Sequence, residues 1–178
     1  MTTTSYLTNE QLYLRAPEPE DLDVMYRIEN NPELWEVSSI TSPYSRYVLK
    51  QYIQTSGNDI FMDRQLRLMI IRKRDELIIG SVDLTNFDPL HTRAEVGIVV
   101  MKEYRREKIA QQTLNLLAEY CFGYLHMKQL YAYIPVDNEE SIRLFSSCGF
   151  VVCGTLKDWL RTEDSYKDAF LTQLIQPS

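Results

Sequence analysis

The stretch RAEVGIVVMKEYRREKIAQQTLNLLAEYCF, residues 93–122, changes its hydrophobic period midway, and few folds accommodate that change. Up to Val100 the apolar residues alternate. Val96, Ile98 and Val100 face one way and Glu95, Gly97 and Val99 the other, the pattern of a half-buried strand. From Ile109 the spacing is helical, with Thr113, Leu114, Leu117, Cys121, Tyr124 and Leu125 on one face. A strand therefore runs into a helix through a short charged turn. The first N–H groups of such a helix lack intrahelical partners and point back toward the strand end. That geometry binds phosphate or pyrophosphate without any special side chain, and Arg105, Arg106 and Lys108 add positive charge. A solvated basic turn has the same pattern, and no glycine stands where a phosphate-cradling loop usually carries one.

The segments on either side extend the order. LYLRAPEPEDLDVMYRIENN, from residue 12, reads as a strand and then a helix, with Pro19 in the first turn and Glu20, Asp21 and Asp23 near the positive helix end. SPYSRYVLKQYIQTS is a second helix, with Tyr44, Val48, Tyr52 and Ile53 along one side. RLMIIRKRDELIIGSVDLTNF holds two strands joined by a tight turn near Arg74–Glu76. QLYAYIPV is a strand, DNEESIRLFSSCGF a helix capped by Asp137 or Asn138 and stopped by Gly149, and FVVCGTL and AFLTQLI two closing strands. The expected fold is α/β of the α+β kind, with a mostly antiparallel mixed sheet and helices packed against it. With no repeat, linker or low-complexity tract, residues 1–178 are expected to form one domain.

Composition narrows the function. A net charge of −6 and no basic cluster clear of acidic neighbours argue against a nucleic-acid partner. The acidity weakly favours a cationic substrate such as an amine, or serves only solubility. No run approaches the roughly 20 apolar residues of a membrane span. The opening MTTTSYLTNEQLYLR lacks the layout of a signal peptide, so a cytoplasmic location is expected. Three cysteines without Cys-x-x-Cys spacing and two histidines give no metal site, and the thiols are expected to be buried.

Taken in order, the motifs of the second half resemble the GNAT acetyltransferase superfamily. Arg105-Arg106-Glu107-Lys108-Ile109-Ala110 occupies that family's Gln/Arg-x-x-Gly-x-Gly/Ala signature, with Lys108 in place of the first glycine. Asn138, Ser141, Leu144, Phe145, Gly149 and Phe150 match its Asn-x-x-Ser-x-x-Leu-aromatic run ending in Gly-Phe. The tail GTLKDWLRTEDSYKDAFLTQL and the opening LYLRAPEPEDLDVMYRIENNPELW are similar to the branch holding Rim-type and spermidine N-acetyltransferases, so the resemblance spans nearly the whole chain.

The resemblance implies splayed central strands, helices on both faces of the sheet and acetyl-CoA as acyl-donor cosubstrate. Backbone groups of Ile98, Val99 and Val100 would hold its pantetheine arm like an added strand. N–H groups from Arg105 and Arg106 through Lys108, Ile109 and Ala110 would hold the pyrophosphate. Asn138 and Phe145 would contact the cofactor. A primary amine (a polyamine, a protein N-terminus or a small amine) would attack the thioester directly. Glu95 is the first candidate base and Asp83 the second; a carboxylate paired with Arg93 or a lysine is the alternative for each. Phe145 stands where many relatives carry an acidic tyrosine and has no proton to give, so Ser141 is the fallback donor. Lys108 is expected to adopt helical φ/ψ with its side chain turned away. Trp35 falls either in the loop over the acceptor pocket or in the core. The polyamine reading rests on net acidity and on the spacing of IIGSVDLTNFDPLHTRAEV. A homodimer formed through a sheet edge or the strand AFLTQLI is a further expectation. The rival reading is a degenerate acyl-CoA-binding or small-ligand sensor, motivated by Lys108 and Phe145.

Overall fold

A computed structural model describes residues 5–35, 41–105 and 108–177. Seven strands form one sheet in the order β1-β2-β3-β4-β5-β7-β6. They are β1 (Leu12–Arg15), β2 (Leu66–Arg72), β3 (Leu77–Asp88), β4 (Arg93–Val100), β5 (Gln129–Pro135), β6 (Val151–Arg161) and β7 (Tyr166–Ile175). Every neighbouring pair is antiparallel except β4 and β5. The helices are α1 (Leu22–Glu29), α2 (Arg46–Thr55), the single turn α3 (Ile60–Asp63), α4 (Ile109–Glu119) and α5 (Glu139–Ser147).

The period change that opens the argument decides which face each helix covers. Helices α1 and α2 lay Met25 and Leu49 on Met69 and Ile71 of β2. On the opposite face, Leu114, Leu117 and Phe145 of α4 and α5 join Leu68, Val82, Val96 and Ile134 in the larger core. The parallel pair β4–β5 follows from the α4 crossover between them, since parallel neighbours need a long connection. The sheet, its strand order along the chain and the helices on both faces agree with the expectation from sequence.

Local details depart from it for physical reasons. Ser45 caps α2 by accepting from the Val48 N–H at 3.1 Å. The buried stripe of α2 then runs through Leu49, while Val48 and Tyr44 lie exposed. The helical face read from Ile109 holds as far as Cys121, which is buried. There the helix widens into a π turn, Tyr120–Tyr124, and the added residue rotates Tyr124 to the surface, 61% exposed. Cys153 is exposed rather than buried, because β6 has only β7 beside it. Strand β6 also runs past its expected end, through Lys157 and Asp158, with a register shift between Leu156 and Leu160 that breaks the alternation. Finally, β7 contains AFLTQLI and is flanked by β5 and β6, so that segment has no open edge for a second copy.

The entry to α1 is the most tightly bonded polar corner. Asp21, 1% exposed, accepts from Arg15 at 2.7 and 3.0 Å and from the Glu18 N–H at 2.8 Å. The Asp21 carboxylate raises the Arg15 pKa, against an opposing effect of burial. One side chain thus ties β1 to the first turn of α1. Asp21→Ala strands a guanidinium and an amide, and thermal unfolding should show Tm lowered by roughly 5–10 °C, from a loss of about 2–3 kcal/mol.

Candidate active site

The β4–β5 ladder is short. It pairs Arg93 with Gln129, Ala94 with Leu130 and Glu95 with Tyr131, and then stops. Beyond it both strands continue, β4 to Val100 and β5 to Pro135, each still paired on its far side. Their facing edges part, and the backbone groups of β4 toward the gap have no strand to bond. Unsatisfied backbone N–H and C=O groups on an extended segment are a template for an added extended chain.

A cavity of about 540 Å³ lies against the freed edge of β4. Ile98, Val99 and Val100 form its floor, the start of α4 one wall, and Asn138, Ser141 and Leu144 of α5 the other. Glu33 and Leu34 close it from the α1 side. The first helical bond of α4 runs from the Gln112 N–H to the Lys108 carbonyl at 2.9 Å. The N–H groups of Ile109, Ala110 and Gln111 precede it and face outward at the positive helix end. Arg105 lines the same wall, with its Nε donating to the Val100 carbonyl at 3.0 Å. That bond fixes the guanidinium where β4 ends and the helix begins. Arg106 lies outside the described residues.

Lys108 corrects the expectation made of it. Its φ of 54° and ψ of 31° are left-handed, not helical. The position needs the conformation that glycine adopts freely, and a lysine holds it at a cost of about 1–2 kcal/mol. The family-signature glycine thus answers a backbone demand that this chain still makes. Phe145 is likewise placed differently. It is buried at 5% exposure, edge-to-face with Phe150 at 4.9 Å, and Leu144 and Ser147 line the cavity beside it. The α5 face away from the core carries Glu140, Ser141, Leu144 and Ser147 to the cavity. Sequence reasoning missed Glu140, Arg143 and Gln111; their signal was the spacing opposite the apolar stripe of α5 and the position one past Ala110. Asn138 caps α5, its Oδ1 accepting from the Ser141 N–H at 3.1 Å, which leaves its amide nitrogen as the free donor.

The carboxylates lie on the other face of the sheet. Asp83 is the register partner of Gly97, and Glu95 of Thr85, so all four share a side. Both oxygens of Asp83 accept from Arg67, at 2.7 and 2.9 Å, and Arg67 also bonds Glu29. Burial works to lower the Arg67 pKa, but the charges of Asp83 and Glu29 outweigh it and the net shift is upward. Asp83 is therefore committed to an ion pair, with Arg67 in place of the partners foreseen. Glu95 is half-buried and accepts from the Asn86 amide at 2.8 Å, while Arg93 bonds Asp88 at 3.2 Å. Burial, and next the Glu95 charge, raise the pKa of the neighbouring Tyr131. Glu95 is the less committed carboxylate of the two. Trp35 is half-buried beside Leu34, with an Nε1 that finds no partner among the described residues. No group of three potential metal ligands occurs among the described residues. No helix among them is long and apolar enough to cross a membrane.

Residues 11–151 match the family model described as the acetyltransferase (GNAT) domain. The spermidine N(1)-acetyltransferase of Vibrio cholerae is 26% identical over 168 residues, 94% of this chain and 95% of that protein. The ribosomal-protein-serine acetyltransferase of Escherichia coli is 23% identical over 171 residues, 95% of each chain. Among solved structures, the spermidine N-acetyltransferase of Vibrio cholerae in complex with CoA and spermine superposes with a TM-score of 0.81 at 26% identity, covering 94% of this chain and 97% of that one.

The left-handed Lys108 has a direct test. Lys108→Gly should raise stability by about 1 kcal/mol, or Tm by roughly 2–4 °C, whereas Lys108→Ala leaves the strain in place and gains nothing. Thermal melts of the two variants beside the natural chain decide it.

Proposed function

The chain belongs to the acetyltransferase (GNAT) domain family, and from that premise we propose that it transfers the acetyl group of acetyl-CoA to a primary amine. The observation that carries the reading is the parting of β4 from β5 directly before the start of α4. The residues present fit this acyl donor. An open strand edge accepts an extended amide-bearing arm, and free helix N–H groups with Arg105 beside them accept a diphosphate. When bound, acetyl-CoA supplies an acetyl thioester. Ile98 to Val100 hold its arm, and Ile109, Ala110 and Arg105 hold its phosphates, with Lys108 adding charge. Asn138 contributes an amide donor from the head of α5, and Leu144 takes the place foreseen for Phe145 at the cavity wall.

A relative is named for N-acetylation of spermidine, which supports an amine acceptor here; the chemistry is then deprotonation of an ammonium followed by its direct attack on the thioester. Glu95 takes that proton, directly or through a water, because Asp83 is already bonded through both oxygens. Ser141, on the cavity wall, is placed to return a proton to the departing sulfur. Catalysis then depends on positioning and not on a covalent enzyme intermediate. Trp35, next to the residues that close the cavity, borders the acceptor side. The protein acts as a single domain in the cytoplasm, and β6, one of the two edge strands of the sheet, is where a second copy would pair.

Isothermal titration with acetyl-CoA, followed by an amine panel, tests the reading. Micromolar binding is expected, and Arg105→Ala should weaken it about tenfold, as loss of a charge-assisted contact does. Glu95→Gln should lower kcat by about a hundredfold while leaving acetyl-CoA affinity unchanged. Binding without transfer to any amine favours the sensor reading, and absence of binding overturns both.

A further inference from the structure

The sheet face that carries Glu95 is covered by α1 and α2 only over β2 and its neighbours. Toward β5 and β6 it carries aromatic side chains instead. Tyr131 is the register partner of Glu95, and Tyr133 lies two residues farther on, on the same face. Their rings are 5.8 Å apart and edge-on, and Trp159 of β6 tilts against Tyr133 at 5.4 Å. Trp159 is 51% exposed, so this aromatic lane ends open to solvent.

Gly97 stands at the near end of the lane. Had the β4–β5 ladder continued by two residues, Gly97 would have faced Tyr133. A Cβ built at Gly97 meets no atom within 4 Å, and its φ is not left-handed. Neither packing nor backbone conformation therefore requires glycine there. The space beside Gly97 is open on the face shared with Glu95.

We infer that Tyr131, Tyr133 and Trp159 form the seat of the acceptor's arm, with its amine at Glu95 over Gly97, and that the acceptor is a small primary amine with a flat aromatic arm. The inference rests on the acetyl-transfer reading above. Ring faces at this spacing hold a planar group by offset or edge-to-face packing. The arm binds on the side of the sheet opposite α4 and α5, so acyl donor and acceptor meet through the gap from different faces.

The test is kcat/KM for 2-phenylethylamine, n-butylamine and spermidine at saturating acetyl-CoA. The natural chain should prefer 2-phenylethylamine to spermidine by at least about tenfold. Trp159→Ala should lower the ratio of 2-phenylethylamine to n-butylamine by about three- to tenfold, with the KM for acetyl-CoA unmoved, and Trp159→Phe should restore most of it. Gly97→Leu, which fills the opening, should abolish transfer to all three amines while acetyl-CoA still binds. Preference for spermidine, an unmoved ratio in Trp159→Ala, or full activity in Gly97→Leu each overturns the inference and leaves acetyl transfer standing. If the natural chain binds acetyl-CoA yet acetylates none of the amines, it is the acetyl-transfer reading that fails.

Discussion

The interaction on which everything else depends is one that is not made: the hydrogen bonding between β4 and β5 beyond Glu95 and Tyr131. A sheet normally closes such a gap, because each unpaired backbone group in a dry interior costs free energy. Here α4 is the next α-helix after β4 and α5 the next after β5, and the cavity lies between the freed edge of β4 and the starts of these two helices. The parting therefore aligns a bare strand edge, a helix N-terminus and a capped helix around one cavity.

Charge is distributed unevenly between the two faces of the sheet. On the α4–α5 side the cavity is lined by Arg105, Lys108 and Arg143 against Glu33 and Glu140, a balance that suits a polyanion held mainly by backbone amides. On the α1–α2 side Arg67 joins Glu29 of α1 to Asp83 of β3. Its cation-bearing group also lies 6.0 Å from the Tyr52 ring centre, so three elements converge on one half-buried side chain. That network joins α1, α2 and β3 and holds both Asp83 oxygens in an ion pair.

Much of the architecture was legible in the sequence, since alternation and helical spacing are direct consequences of which faces are buried. The run from Arg93 to Cys121 read correctly at both periods, as did the Gly149 stop, which the structure shows at φ 90°; of the two caps open to α5, Asp137 and Asn138, the structure uses Asn138. What was not legible came from three-dimensional context. Val48 and Leu49 differ by one position, and only the direction of packing on Met69 tells which is inside. The left-handed turn at Lys108 is invisible when the residue is not glycine. The partner of Asp83 lies 16 residues away on a neighbouring strand, where no local pattern marks it. The π turn at Tyr120 and the bulged course of β6 break periodicity and so hide from any argument built on it.

The strand order has a consequence for how the chain reaches this shape. β7 comes after β6 in the chain but sits between β6 and β5 in the sheet. β6 therefore joins the sheet only through β7, which lies against β5 although it follows it by about 30 residues in the chain. The β6–β7 hairpin is local, and its docking on β5 is the long-range step. The outer third of the sheet forms late, and it joins through contacts distant in sequence, the kind that slow folding. The face that carries Trp159 is completed in the same late event.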